Sequence, residues 1–159
     1  ANGRPLISGA DGRWREARWL EPGRYDLTMR AYWGDQPYQF RLRPVAAEAQ
    51  ALLAGQALTA RFDDSQQSQL FRLEGHAGDR LRFNALADNS GQLGWRLFNA
   101  YGQLLAEGPV TSDGPLRTLA QDGPVYLQLR PDSVLTAPVS VSFQLDQGEP
   151  AVESLVLGQ

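Results

Sequence analysis

Cysteine and lysine are absent from this sequence, and histidine and methionine each occur once. Without cysteine there is no disulfide framework and no thiolate metal site. The single histidine, His76, supplies too few ligands for zinc. A catalytic histidine would need a nucleophile or carboxylate within hydrogen-bonding reach, and no accompanying motif provides one. Set in Gly75-His-Ala-Gly78, His76 reads as a turn residue facing solvent. No apolar run approaches the roughly 18 residues of a membrane helix, so no membrane insertion is expected. The opening Ala-Asn-Gly-Arg-Pro has no signal-peptide core, so any export signal is expected outside these residues.

What is present is enough for a core: 42% of the 159 residues are hydrophobic, with four Trp, five Tyr and six Phe. The net charge of −3 gives no overall attraction to nucleic acid. Residues 1 to 45 hold eight Arg against five acids (+3), and the remainder holds seven Arg against thirteen acids (−6). A solvated surface accounts for this asymmetry, with polyanion binding as its functional counterpart. A GC-rich coding sequence explains the all-arginine cations as well as function does.

The chain repeats itself. Leu119-Ala-Gln-Asp-Gly-Pro-Val-Tyr-Leu-Gln-Leu129 has an earlier version in Leu20-Glu-Pro-Gly-Arg-Tyr-Asp-Leu-Thr-Met29. Aligning Gly23 with Gly123 sets Tyr25, Leu27 and Met29 against Val125, Leu127 and Leu129, a turn glycine feeding an alternating apolar row 100 positions later. Phe40 and Leu42 match Phe143 and Leu145 at a spacing of 103, and Leu52-Leu-Ala-Gly-Gln56 matches Leu155-Val-Leu-Gly-Gln159 at the same spacing. Self-similarity at a fixed period is the mark of an array. The expected organisation is the rear half of a β-sandwich module over 1–45, a linker with a helical turn or two over 46–52, a complete module over 53–147, and the start of a following module over 148–159.

Within the complete module, strands are predicted near 56–62, 69–74, 79–86, 93–99, 103–107, 115–119, 124–130 and 138–146, separated by Gly, Asp, Asn, Ser or Pro. Its core is predicted to draw on Leu58, Phe62, Phe71, Leu73, Leu81, Phe83, Trp95, Leu97, Leu127, Leu129, Val141, Phe143 and Leu145. Ahead of it, Arg13 to Leu20 fits a strand or a short helical turn, and Tyr25, Leu27, Met29, Ala31 and Trp33 alternate as one face of a strand. Short strands without a convincing amphipathic helix make this an all-β protein: an antiparallel β-sandwich, jelly-roll-like, one complete module plus the rear half of a preceding one.

The order of features in the complete module is Leu53-Ala-Gly-Gln56, Asp63-Asp64, Leu70-Phe-Arg-Leu73, Ala77-Gly-Asp-Arg-Leu-Arg-Phe83, Trp95-Arg-Leu-Phe-Asn-Ala-Tyr-Gly102 and Gly123-Pro-Val-Tyr-Leu-Gln-Leu129. It resembles the bacterial pre-peptidase C-terminal domain in the form found as tandem modules of large secreted or surface proteins. The resemblance implies a jelly-roll-like sandwich, an extracellular or bacterial cell-surface setting, and a part in spacing, folding or substrate attachment, with neighbouring modules of the same protein as partners. Some relatives resemble collagen- or polysaccharide-binding modules, which implies a glycan or a host or matrix protein as a further partner. Others bind calcium through a dense acidic linker that this chain lacks.

Two groups of residues are candidate sites. Trp14, Trp19, Tyr32, Trp33 and Tyr38 lie among Arg18, Arg30, Arg41 and Arg43, and of these Trp14, Trp19, Arg30, Tyr32 and Trp33 are the ligand-binding candidates, since exposed aromatic rings beside polar groups stack sugars or pair with anions. Against this, the favoured reading is that Trp19 and Trp33 plug the core, with Tyr32 covering the sheet. Asp63, Asp64 and Asp88, with Asn89, could offer oxygens to calcium, but the same residues are ordinary turn formers and their spacing matches no calcium loop. No residue is a catalytic candidate. The leading expectation is a non-enzymatic scaffold module of a large bacterial extracellular or adhesin-like protein, the second a carbohydrate- or protein-binding module using the N-terminal Trp, Tyr and Arg.

Overall fold

The computed structural model describes residues 19–20, 22–28, 34, 37, 44–65, 67–87 and 90–148. Pro44 starts one helical turn, α1 (Val45–Glu48), in which its carbonyl accepts the amide hydrogens of Ala47 and Glu48 at 3.2 and 3.1 Å. Nine strands follow among the described residues: β1 (Gln50–Ala51), β2 (Leu58–Phe62), β3 (Gln69–Gly75), β4 (Arg80–Ala85), β5 (Leu93–Phe98), β6 (Leu104–Pro109), β7 (Arg117–Thr118), β8 (Gly123–Pro131) and β9 (Val139–Gly148). They form a five-stranded sheet in the order β1-β3-β8-β5-β6 and a four-stranded sheet in the order β2-β9-β4-β7. All pairings are antiparallel except that of β1 with β3. The fold is the expected all-β sandwich, and all eight predicted strands are present with ends within two residues of those read from the sequence.

Period-two patterning explains why these segments form strands. In β3, Phe71, Leu73 and Gly75 are buried while Arg72 and Glu74 face water, and β4 and β9 alternate in the same way. The buried rows of the two sheets meet in an aromatic run. Trp95 stacks on Phe83 across the sandwich (4.7 Å, 13°), Phe83 lies parallel to Phe143 on the neighbouring strand (5.8 Å, 8°), and Phe143 meets Phe71 edge-on (5.2 Å, 66°). Of the predicted core, Leu58 alone is half-buried, at the first position of β2, while Ala60 and Phe62 on the same strand are buried. Core positions outside the alternating rows, such as Val110 and Leu119, lie in loops.

β8 departs from the pattern. Val125, Leu127 and Leu129 face the core as expected, but Tyr126 and Gln128, on the opposite face, are buried too. Gln128 Nε2 donates to Ser68 Oγ at 2.9 Å. The outer face of the five-stranded sheet is therefore a covered surface along its central strand.

Two further segments differ from their sequence reading. Residues 46–52 do more than link: after α1, β1 joins the five-stranded sheet, Leu52 N donates to Arg72 O at 2.8 Å, and the Leu52 side chain enters the core. The strand expected from Tyr25 onward is not formed over the described residues 24–28, where Tyr25 and Leu27 are exposed. An alternating apolar row becomes a strand only when a facing layer covers it, and no described element does so here.

Candidate functional site

Of the sequence-based candidates, Trp14, Arg30, Tyr32, Trp33 and Asp88 lie outside the described residues. Asp63 and Asp64 follow β2 at the surface. Asp63 accepts from Arg61 Nε at 2.8 Å, and its own amide donates to Gln67 Oε1 at 2.8 Å, so its contacts are those of a closed turn. Among the described residues, no group of three or more His, Cys, Asp or Glu stands together to hold a metal ion. His76 is exposed, with Nδ1 3.6 Å from Asp79 Oδ2.

Trp19 is the candidate that the structure places against other aromatic side chains. It does not plug the core, and it is not a free platform. Its ring packs on the outer face of the five-stranded sheet against Phe98 (5.4 Å) and Tyr126 (5.8 Å, edge-on), a cross-strand pair in the β5–β8 register. Its Nε1 donates to the carbonyl of Ala100 at 3.1 Å, and the residue retains 36% of its exposure.

The local structure under Trp19 follows from Asn99-Ala-Tyr-Gly102, the tip of the β5–β6 hairpin. Asn99 Oδ1 accepts from the amides of Tyr101 (3.0 Å) and Gln103 (2.9 Å), its carbonyl accepts from Gly102 N, and its amide donates to Gln103 O. Gly102 takes φ of 77°, which a side chain opposes. A Cβ there would also overlap the Trp19 ring, so glycine serves both the turn and the ring above it. Asn99→Ala is expected to cost about 1 kcal/mol through the loss of these caps. Faster amide exchange at Tyr101 and Gln103, measured by NMR, checks it.

The same hairpin tip borders a surface groove of about 630 Å³, lined on its other side by the β7–β8 connection from Thr118 to Pro124. Tyr101 stands at its rim, 68% exposed. At the corner of the groove, Gly123 takes φ of 136°, and a Cβ added to it would come within 3.2 Å of Ala100. Elsewhere on the outer face the charges pair: Arg96 with Glu107 at 2.8 Å, Arg130 with Asp132 at 3.5 Å and Arg72 with Glu74 at 2.6 Å. Opposite charges alternating in this way give the face no field of one sign.

The chain is similar to the periplasmic inhibitor of g-type lysozyme PliG from Aeromonas hydrophila, with 11% identity and a TM-score of 0.51 over 64% of this chain and 98% of that one. It is also similar to the pre-peptidase C-terminal domain of a collagenase from Bacillus anthracis, with 11% identity and a TM-score of 0.50 over 67% of this chain and all of that one. The fold is that of a pre-peptidase C-terminal domain. At such identities the likeness carries the fold alone. No family model matches the chain, and no curated protein matches it.

Sequence reasoning missed the partners of Trp19. Phe98 and Tyr126 fall on the outward-facing phase of their strands, where alternation predicts exposure. The available signal was two bulky aromatics on that phase of two strands, Phe98 and Tyr126, together with a glycine-bearing turn.

Proposed function

We propose that this chain is a non-enzymatic structural module of a large bacterial extracellular or periplasmic protein, one unit of a tandem array of pre-peptidase C-terminal folds. The observation that carries this reading is the internal repeat: the apolar rows spaced 100 to 103 positions apart correspond, in the described copy, to the strands that build the sandwich, β8 and β9. A recurring sandwich that buries its own core is suited to spacing and presenting other domains. The setting is supported by the fold, which is shared by solved structures that include a periplasmic protein and a domain of a collagenase.

A second reading has its own observation. Tyr101 is held out on a turn locked by Asn99 beside the groove, and a rigid exposed aromatic is the usual anchor of a protein interface. One of the similar structures is itself an inhibitor of another protein. A panel of g-type lysozyme, collagen and a glycan array separates the two readings. The scaffold reading expects no saturable binding to any of them. Saturable binding that Tyr101→Ala weakens tenfold or more, about 1.4 kcal/mol, would replace it with the protein-binding reading.

A further inference from the structure

We infer that Phe98, Tyr126 and the bare Cα of Gly102 form an aromatic-binding seat on the outer face of the five-stranded sheet, and that Trp19 occupies it as a latch tying the segment ahead of the module to the module itself. The ligand class is an indole, because the seat offers ring faces and edges at 5.4 and 5.8 Å together with one backbone acceptor, Ala100 O, at 3.1 Å from Nε1.

Among the described residues, the seat is built by the complete module. Asn99 locks the turn that sets the Ala100 carbonyl, Gly102 leaves the space that a Cβ would fill, and β8 supplies Tyr126. Its occupant lies 81 positions earlier than its acceptor. Among the described residues that follow it, Leu20, Tyr25 and Leu27 remain exposed, whereas the Trp19 ring is seated against the sheet. The repeat sharpens this. In the alignment of Gly23 with Gly123, Trp19 stands opposite Leu119, which is buried within its own module. Leucine at that phase has neither a ring to stack nor an N–H to donate; tryptophan has both, and it lies on the next unit. In a tandem protein this latch sets the orientation of consecutive modules, a consequence that rests on the array reading, whereas the seat does not.

The test uses the full chain. In Trp19→Ala the vacated seat is expected to bind free indole saturably at millimolar concentration, as apolar cavities bind small aromatics, shifting the NMR resonances of Phe98, Tyr126 and Gly102. The unaltered chain, whose seat is filled, is expected to show no such shifts. Backbone order at residues 20 and 22–28 should fall in Trp19→Ala and stay close to the original in Trp19→Phe, which keeps a ring and loses only the hydrogen bond. In the unaltered chain the Trp19 indole N–H should exchange about tenfold more slowly than in Tyr126→Ala, which removes one floor of the seat without touching the turn. Indole that leaves the Trp19→Ala resonances unmoved, or order at 22–28 that does not change with Trp19, would overturn the latch. A glycan or protein ligand found for the chain would displace the scaffold reading and leave these shifts as they are.

Discussion

Trp95→Ala is expected to remove about 3 to 5 kcal/mol of stability, a large part of the 5–15 kcal/mol typical of a whole domain, and to abolish the near-ultraviolet dichroism of the core. Trp95 is the largest fully buried side chain described. It stacks on Phe83, its Nε1 donates to Pro109 O at 3.1 Å, and its six-membered ring is met by two glycines: a Cβ on Gly114 would lie 2.5 Å from Cζ2, and one on Gly108 3.3 Å from it. Truncation therefore opens a cavity between the sheets and leaves a carbonyl without its donor, and stacking with Phe83 is lost as well. The glycines allow a control that a generic core effect would not pass. Gly114→Ala alone should cost about 1 to 3 kcal/mol by overpacking against the indole. In a Trp95→Phe background the same substitution should cost much less, because the smaller ring withdraws from Gly114. Denaturant titration of the four chains gives the coupling; strictly additive costs would show that Gly114 is not shaped by Trp95.

These residues also show how much the sequence disclosed. Alternation placed Phe71, Phe83, Trp95, Leu127 and Phe143 on inward rows, and turn chemistry bounded their strands, so the sandwich was legible from one-dimensional periodicity. What periodicity cannot carry is contact between elements far apart in the chain. Val45 to Leu52 reads as a helix-favouring linker, yet the Leu52 amide completes a parallel pairing with β3 that only the folded sheet offers. Tyr126 and Gln128 sit on the phase that alternation assigns to water, and their burial depends on what lies over the sheet. Trp19 reads from the sequence as a free aromatic platform or a core plug, and it is neither, since its place depends on a turn 81 positions away. The row from Tyr25 failed as a strand over 24–28 for the converse reason: its pattern is correct but nothing described faces it.

Asp79→Ala is expected to cost about 1 to 3 kcal/mol at neutral pH, and the cost should shrink in acid. Asp79 closes the β3–β4 connection in the Ala77-Gly-Asp-Arg80 stretch, and its side chain is only 12% exposed. Oδ2 accepts from the amide of His76 at 2.7 Å and from Gln147 Nε2 on β9, with the His76 imidazole 3.6 Å away. Its backbone binds the β7 end in turn, with Leu119 N donating to Asp79 O and Gly78 N to Leu119 O, both at 2.8 Å, while Ala77 N donates to Asp122 Oδ1 at 2.8 Å. One carboxylate thus ties the β3–β4 connection to β9. Donation from the His76 amide holds its pKa below the ordinary 3.8; burial opposes this, and the Gln147 amide and the His76 charge add to the lowering. A carboxyl whose folded pKa is depressed contributes stability that is complete above its unfolded value and is lost as the pH falls through the folded one. The stability difference between the unaltered chain and Asp79→Asn should therefore shrink as the pH falls through 3.8 and below. Urea titrations at a series of pH values measure it, and a difference that persisted or grew in acid would mean that the charge of Asp79 has no part in holding the loop.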